Sequence, residues 1–387
     1  MKTVYGSSTK LRWNSVIVII PIIALIGVLI VTVGSNLFDD NGISSCPETI
    51  YVDKAATGSN NGTSWKDAFT TIQDAWDSLP SIVDCNVTIK VREGTTPYRE
   101  TVGCSSHLVI GSVTIEGEFY IYGDCEFHSH GAGEIVDIGA FGNVTVGDHI
   151  YVYRLGADDR IIDYDVCSVD DISNSPNRIG TDSTKHMHTT DWHYVIVRTE
   201  VSGSDDGTDE GTARDKAFSV YGVDKVYIKG FYIDFTDDDC ITYNNFGIGQ
   251  VQYCICENVD DCISAIHTSS LNIKYSYVES DTMAIVSYTQ SYVDARYCVV
   301  DSNAATYHAA LLSGRAACLF YAYGYIADGP RGAISEDTSW IYIYSVTVSS
   351  DVDTGLYARL NSSIRKAGVT NNARTPESIA SGGVIDN

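Results

Sequence analysis

Two acidic clusters, Asp237-Asp238-Asp239-Cys240 and Asp260-Asp261-Cys262, stand 22 residues apart, and Asp281 follows about one more interval on. Residues one coil apart on adjacent parallel strands lie about 4.8 Å apart. That spacing sets Asp239 beside Asp261 and Asp238 beside Asp260. Carboxylates so close do not all ionise cheaply, so one pKa rises or a cation binds. Calcium is the cation such oxygen ligands take, here at Asp238, Asp260 and Asp281. The plainer alternative is that these Asp side chains cap backbone N–H groups in turns.

Other residue types add candidates. His267 and Trp192 join Asp238 and Asp281 as ligand-binding residues. The 26 tyrosines, with Trp192 and Trp340, would stack on sugar rings if exposed along one groove, and otherwise form core or surface ladders. The histidines of His128-Ser129-His130 and of the 185–193 segment read as solvated loop residues, and no metal is assigned to them. Arg315 and Arg331, the cations a lyase would need as a base, fall in later coils. Of the 11 cysteines, Cys240 and Cys262 read as inward free thiols, Cys104 and Cys125 as a bridge, and Cys254 and Cys256 as unbridged to each other. The odd number leaves one thiol free or paired between chains.

The elements that position these residues come from an internal repeat. Pairing each small residue with the aliphatic after it gives one column: Ala217-Phe218, Cys240-Ile241, Cys262-Ile263, Ala284-Ile285, Ala310-Leu311, Ala333-Ile334, Gly355-Leu356. A second column of alternating strands runs between them, from VYIKGFYI at 226 to WIYIYSVTV at 340. Coils of about 22 residues match a parallel β-helix. LVIGSVTIEGEFYIYG and VTVGDHIYVYRL read as earlier coils, 155–215 as a polar excursion, and 362–387 as a tail.

Before the coils, Ser64 with Asp67 signals a helix over 64–79, whose apolar stripe would cover the open end of the solenoid and which Pro80 stops. Residues 51–79, YVDKAATGSNNGTSW leading into DAFTTIQDAW, resemble the entry of right-handed parallel β-helix proteins of the pectin-lyase-like superfamily. That resemblance implies an all-β, right-handed parallel β-helix with an N-terminal capping helix, and activities from polysaccharide lyases and glycoside hydrolases to tailspikes and adhesins. The acidic clusters also partly resemble polygalacturonase-type hydrolases. This second likeness implies inverting hydrolysis, with Asp239, Asp260 and Asp261 as general acid and activators of water. Met283 occupies the position where that pattern has histidine, and no Arg-Ile-Lys follows.

Composition bounds the partners. The net charge of −25 excludes a basic footprint for nucleic acid, and the 37 Asp against 13 Glu favour a loop-rich β protein. Residues 16–34, apolar after Lys10 and Arg12, read as a signal anchor or signal peptide, with 1–15 cytoplasmic, 35–48 a linker and 49–361 the β-helix outside the cytoplasm. The expected function is a surface-displayed β-helix that binds carbohydrate or mediates attachment, on a cell or virion. Its alternatives are a glycoside hydrolase or polysaccharide lyase, and a structural spike, by resemblance a homotrimer. Partners are a polysaccharide and, through the N-terminal helix, a membrane.

Overall fold

The computed structural model describes residues 46–387 except 127–131, 138, 174–176, 186, 188, 203–215, 237–238, 260 and 304–308. The segment 16–34, expected to span a membrane, lies outside them. No helix among the described residues is long and apolar enough to cross one.

Each coil contributes a strand to three parallel sheets. Sheet I has eleven strands, from Thr49–Val52 to Val384–Asp386; sheets II and III have nine each. The alternation in the sequence dictates this, because every second side chain of a strand points into the solenoid. Val226, Ile228, Val251, Ile273, Val293 and Ile341 fill that interior from sheet I. The small-aliphatic column holds from Phe218 through Ile241, Ile263 and Ile285 to Leu311. Beyond Leu311 the register slips by one: Leu311 pairs with Ala333, and Ala333 with Leu356. Ala333 and Ile334 are both buried, so apolarity alone could not choose between them.

Corners are made by residues in the left-handed region. Between sheets III and I they come in pairs, such as Asn245-Phe246, His267-Thr268 and Thr289-Gln290; between sheets I and II a single residue turns the chain. The single corner is held in successive coils by Gly230, Tyr253, Tyr275, Tyr297, Tyr323, Ser345 and Gly368. Bulky residues seldom adopt this conformation.

Three expectations are corrected. The capping helix is only Ile72–Asp77 (α1), because Phe69 bridges to Val52 of the first strand, which holds the preceding chain extended. Ser64 still bonds Asp67, but within a loop, while Thr71 and the Glu100 carboxylate satisfy the N–H groups of α1. Second, residues after 362 are not a tail. Ser363–Ala367, Thr370–Asn371 and Thr375–Ile379 pair in register with sheets I, II and III. Their side chains alternate less cleanly because no strand follows this coil in sheets II and III, and only the short Val384–Asp386 follows it in sheet I.

Third, the excursion begins near 118 rather than 155, and VTVGDHIYVYRL is not a coil. It belongs to an antiparallel six-stranded sheet inserted between a strand of sheet I ending at Gly117 and a strand of sheet II starting at Thr199. The strands lie in the order 120–124, 192–197, 149–155, 161–171, 178–181, 134–136. This insert has a core of its own around Ile135, Phe141, Ile150, Val152, Trp192 and Ile196. Its other face, with Tyr151, Tyr153, Val195 and Val197, packs on the outward column Tyr232, Ile255, Tyr277 and Val299 of sheet II. The Ile161 N–H bonds the Tyr323 carbonyl, and Arg160 reaches the Gly368 carbonyl and Thr370 hydroxyl, so the insert is fastened along several coils.

Candidate functional site

The insert covers the middle of the outer face of sheet II and leaves a flank on each side. On the first flank stand the corner tyrosines. Tyr253, Tyr275, Tyr297 and Tyr323 stack in series, with centroids 5.5, 5.2 and 5.0 Å apart and planes within about 10°. Tyr122 of the insert adds a ring 4.4 Å from Tyr253. Gly230 ends the row because a Cβ there would lie 2.5 Å from the Tyr120 ring. Since the rings cover one another's faces, the expectation of stacking on sugars is corrected for this row: it offers ring edges and hydroxyls. Burial raises the pKa of Tyr253, Tyr275 and Tyr297, so the phenols remain protonated donors.

These edges form one wall of a groove of about 590 Å³. The insert supplies the other wall, with Tyr122, Asp124, Tyr153, Asp159 and His193. His193 Nδ1 lies 2.6 Å from Asp124 Oδ1, and the imidazole stacks on Tyr153 at 5.1 Å. The pair forms because strands 120–124 and 192–197 are registered with Asp124 opposite His193. With Nδ1 engaged, Nε2 is the ring's remaining polar atom. Carboxylate, imidazole and phenols together make a hydroxyl-rich surface whose donors and acceptors suit polyhydroxylated ligands.

The second flank is acidic. Asp234, Glu257, Glu279 and Asp301 occupy one outward column of sheet II on four successive coils. Registered neighbours there lie about 4.8 Å apart. Tyr277 donates to Glu279 at 3.1 Å, Tyr164 of the insert to Asp301 at 3.2 Å, and Asn303 to Glu279 at 2.5 Å. Among the described residues no cation forms an ion pair with Glu257, Glu279 or Asp301. Asp301 Oδ1 is buried without a hydrogen-bond partner among the described residues. Burial first, then Glu279 and Asp328, pushes the Asp301 carboxyl up to about 6. Burial likewise raises Glu257 and Glu200.

The residues expected to do chemistry are placed differently. Asp239 is buried, and its Oδ2 accepts from Lys216 at 2.9 Å, Thr242 at 2.6 Å and Ser264 at 3.0 Å. Asp261 accepts from the Thr282 hydroxyl, and Met283 is its registered neighbour. Asp281 is exposed, and Asp238 and Asp260 lie outside the described residues. His267, exposed, places Nδ1 2.8 Å from Asn244 Oδ1. Trp192 is corrected as a ligand-binding residue: it is 3% exposed, in the insert's core, where no ligand reaches its ring.

Among the described residues one group of three metal-ligating side chains comes together, the sulfurs of Cys240, Cys256 and Cys262, all within 4.8 Å of one another. All three are buried in the apolar interior, where three thiolates would lack countercharge; as thiols they pack as small apolar groups. Cys104 and Cys125, expected to bridge, are separate thiols because Cys104 faces the solenoid interior and Cys125 the insert's core. The disulfide instead joins Cys46 and Cys85.

No protein family matches the chain by its sequence profile, and no curated protein matches it in sequence. Solved structures do resemble it. XylC, solved in complex with xylose, matches with a TM-score of 0.52 at 12% identity, over 87% of this chain and 68% of that one. The pectin methylesterase of Aspergillus niger matches with a TM-score of 0.37 at 11% identity, over 88% and 85%. A tailspike of Pseudomonas phage phi297 matches with 0.25 at 13%, over 86% and 70%.

Proposed function

We propose that this parallel β-helix of the pectin-lyase-like fold is a carbohydrate-binding protein, and that the chain of sugars lies in the groove between the insert and the corner tyrosines. The observation that carries the reading is the row of phenol edges, one per coil, facing Asp124, His193 and Asp159. A ligand with hydroxyls repeated along its length meets a wall whose donors repeat along the solenoid. The xylose complex of XylC, a protein of the same fold, supports it. The Cys46–Cys85 disulfide supports display in an oxidising compartment outside the cytoplasm.

The test is a glycan array followed by calorimetry on the best ligand. Tyr275→Phe removes a hydroxyl and keeps the stack, so it should weaken binding about three- to tenfold; His193→Ala should weaken it by at least tenfold. Binding unchanged in both variants, or no ligand on the array, overturns the reading.

A second reading, glycan hydrolysis, is favoured by one observation. Asp301 holds its proton into the mildly acidic range while Glu279 stands on the adjacent strand. A protonated acid registered beside a carboxylate on the neighbouring strand is the pairing of groups that glycosidases use. Under this reading Asp301→Asn and Glu279→Gln abolish release of reducing ends, whereas loss of cleavage only in Asp239→Asn would return the chemistry to the other acidic stack.

A further inference from the structure

Sheet I carries a different surface, and the first outward column of its strands reads the same in both directions along the solenoid. Cys318 stands at the centre. One coil away on either side are Tyr292 and Trp340, two coils away Ser270 and Ser363, three coils away Ile248 and Val384. Each step joins registered residues of adjacent strands, so the column is about 29 Å long. It holds no charged side chain on a chain of net charge −25, and its large members are exposed: Ile248 by 45%, Tyr292 by 43%, Trp340 by 54% and Val384 by 44%. A continuous uncharged apolar stripe on so acidic a protein is the mark of a surface that meets another macromolecule.

The symmetry of the column points to a second copy of the chain. A two-fold axis lying in this face, along the strand Cys318–Ala322, sets the second copy on the first with its solenoid reversed. Tyr292 then faces Trp340 of the second copy, Ser270 faces Ser363, Ile248 faces Val384, and Cys318 faces itself. The other two outward columns obey the same operation. In one, Asp294 faces Tyr342, Arg365 faces Asn272 and Asp386 faces Gln250. In the other, Arg296 faces Tyr344 and Lys274 faces Ala367. Every charge thus meets a neutral group; Asp294 meets a phenol that can donate to it, and Arg296 an aromatic ring. With the axis instead along the solenoid through the column of Asp294, the copies lie parallel and Asp294, Arg365 and Asp386 each meet their own like charge. Charge therefore selects the reversed arrangement.

We infer that the outer face of sheet I is a dimerisation surface, on which two copies of this chain pack with their solenoids antiparallel about a two-fold axis at Cys318. Tyr292 and Trp340 are its anchors, because aromatic rings near the centre of an uncharged patch carry most of the energy of such a contact. The net charges of the two copies repel, so raising salt should tighten the dimer. The surface lies on another sheet from the groove and stands whether or not the groove binds sugar.

The test exchanges charge between copies. Sedimentation of the full chain should show a dimer. Tyr292→Lys and Trp340→Glu, both at exposed positions, should each weaken it at least tenfold while leaving the melting temperature of the chain unchanged. An equimolar mixture of the two variants should recover the dimer to within about threefold of the wild type, because the new ammonium of one copy faces the new carboxylate of the other. In a parallel pair each new charge would face a neutral ring, and mixing would recover nothing. A short bismaleimide should join two chains through Cys318 and fail to do so in Cys318→Ser, a readout that does not depend on the charged variants folding. A wild-type chain that sediments as a monomer overturns the inference. So does a dimer that neither charged variant weakens, that mixing does not restore or that salt loosens, and so does cross-linking that survives Cys318→Ser.

Discussion

The two flanks of the insert are built by the same repeat, one at the corner where sheet II begins and the other in its strands, yet one is a stack of phenols and the other a column of carboxylates. A solenoid multiplies whatever stands at a given position of its coil. Repeating an aromatic ring is favourable, because each new ring gains a stacking partner worth about 0.5–1.5 kcal/mol. Repeating a carboxylate is unfavourable, because each new charge meets the last one a strand away, in a site the insert has partly dried. The acidic column therefore keeps a proton at Asp301 up to about pH 6, and the tyrosine row needs no such adjustment.

Both flanks depend on the contact that separates them, so the largest effect should come from opening it. Tyr277 is 4% exposed within that contact and donates to Glu279. Tyr277→Ala should cost about 3–5 kcal/mol from the cavity alone, measured by urea unfolding. Loss below about 1 kcal/mol would mean that the insert and sheet II are not packed together in solution.

The acidic flank makes a prediction with a definite sign. The Asp301 carboxyl is raised from 3.8 to about 6 in the folded chain, so the folded state binds the proton more tightly than the unfolded one. Its stabilising contribution is complete below about pH 4 and is lost as pH rises through about 6. Asp301→Asn, permanently neutral, should thus raise stability at pH 7 by about 3 kcal/mol and leave it nearly unchanged at pH 4. A destabilised variant at pH 7 would show that the carboxylate is compensated by a bound cation.

How much of this was legible in the sequence depended on the repeat. It exposed the sheets, because small-aliphatic pairs and alternating strands recur with the coil, and it lost register at Ala333 where two successive residues are both buried. The same interval that drew attention to Asp239 and Asp261 also separates Glu257, Glu279 and Asp301, and Tyr253, Tyr275 and Tyr297. Those single residues were passed over because runs such as DDDC are conspicuous and one acid per coil is not. The antiparallel insert was hidden for another reason. Its strands alternate like those of a coil, and alternation is the same whether the partner runs parallel or antiparallel; 149–155 pairs with the nearby 161–171, while 192–197 pairs with the distant 120–124. The His193–Asp124 pair, 69 residues apart in the chain, was accordingly out of reach.

The tyrosine flank gives the smallest effect and the most specific one. Tyr275 has φ 52°, a conformation that costs a non-glycine residue about 1–2 kcal/mol, and stacks on Tyr253 and Tyr297. Removing the ring forfeits two stacking contacts in either Tyr275→Ala or Tyr275→Gly, but only glycine relieves the backbone. The alanine variant should therefore be the less stable of the two by about 1 kcal/mol, the reverse of the order found in ordinary strands, where glycine is the weaker residue. Glycine proving worse than alanine in thermal unfolding would mean the corner is not left-handed at Tyr275. The phenol row would then lose the geometry that turns its hydroxyls to the groove, while the carboxylate column, set by strand register alone, would be untouched.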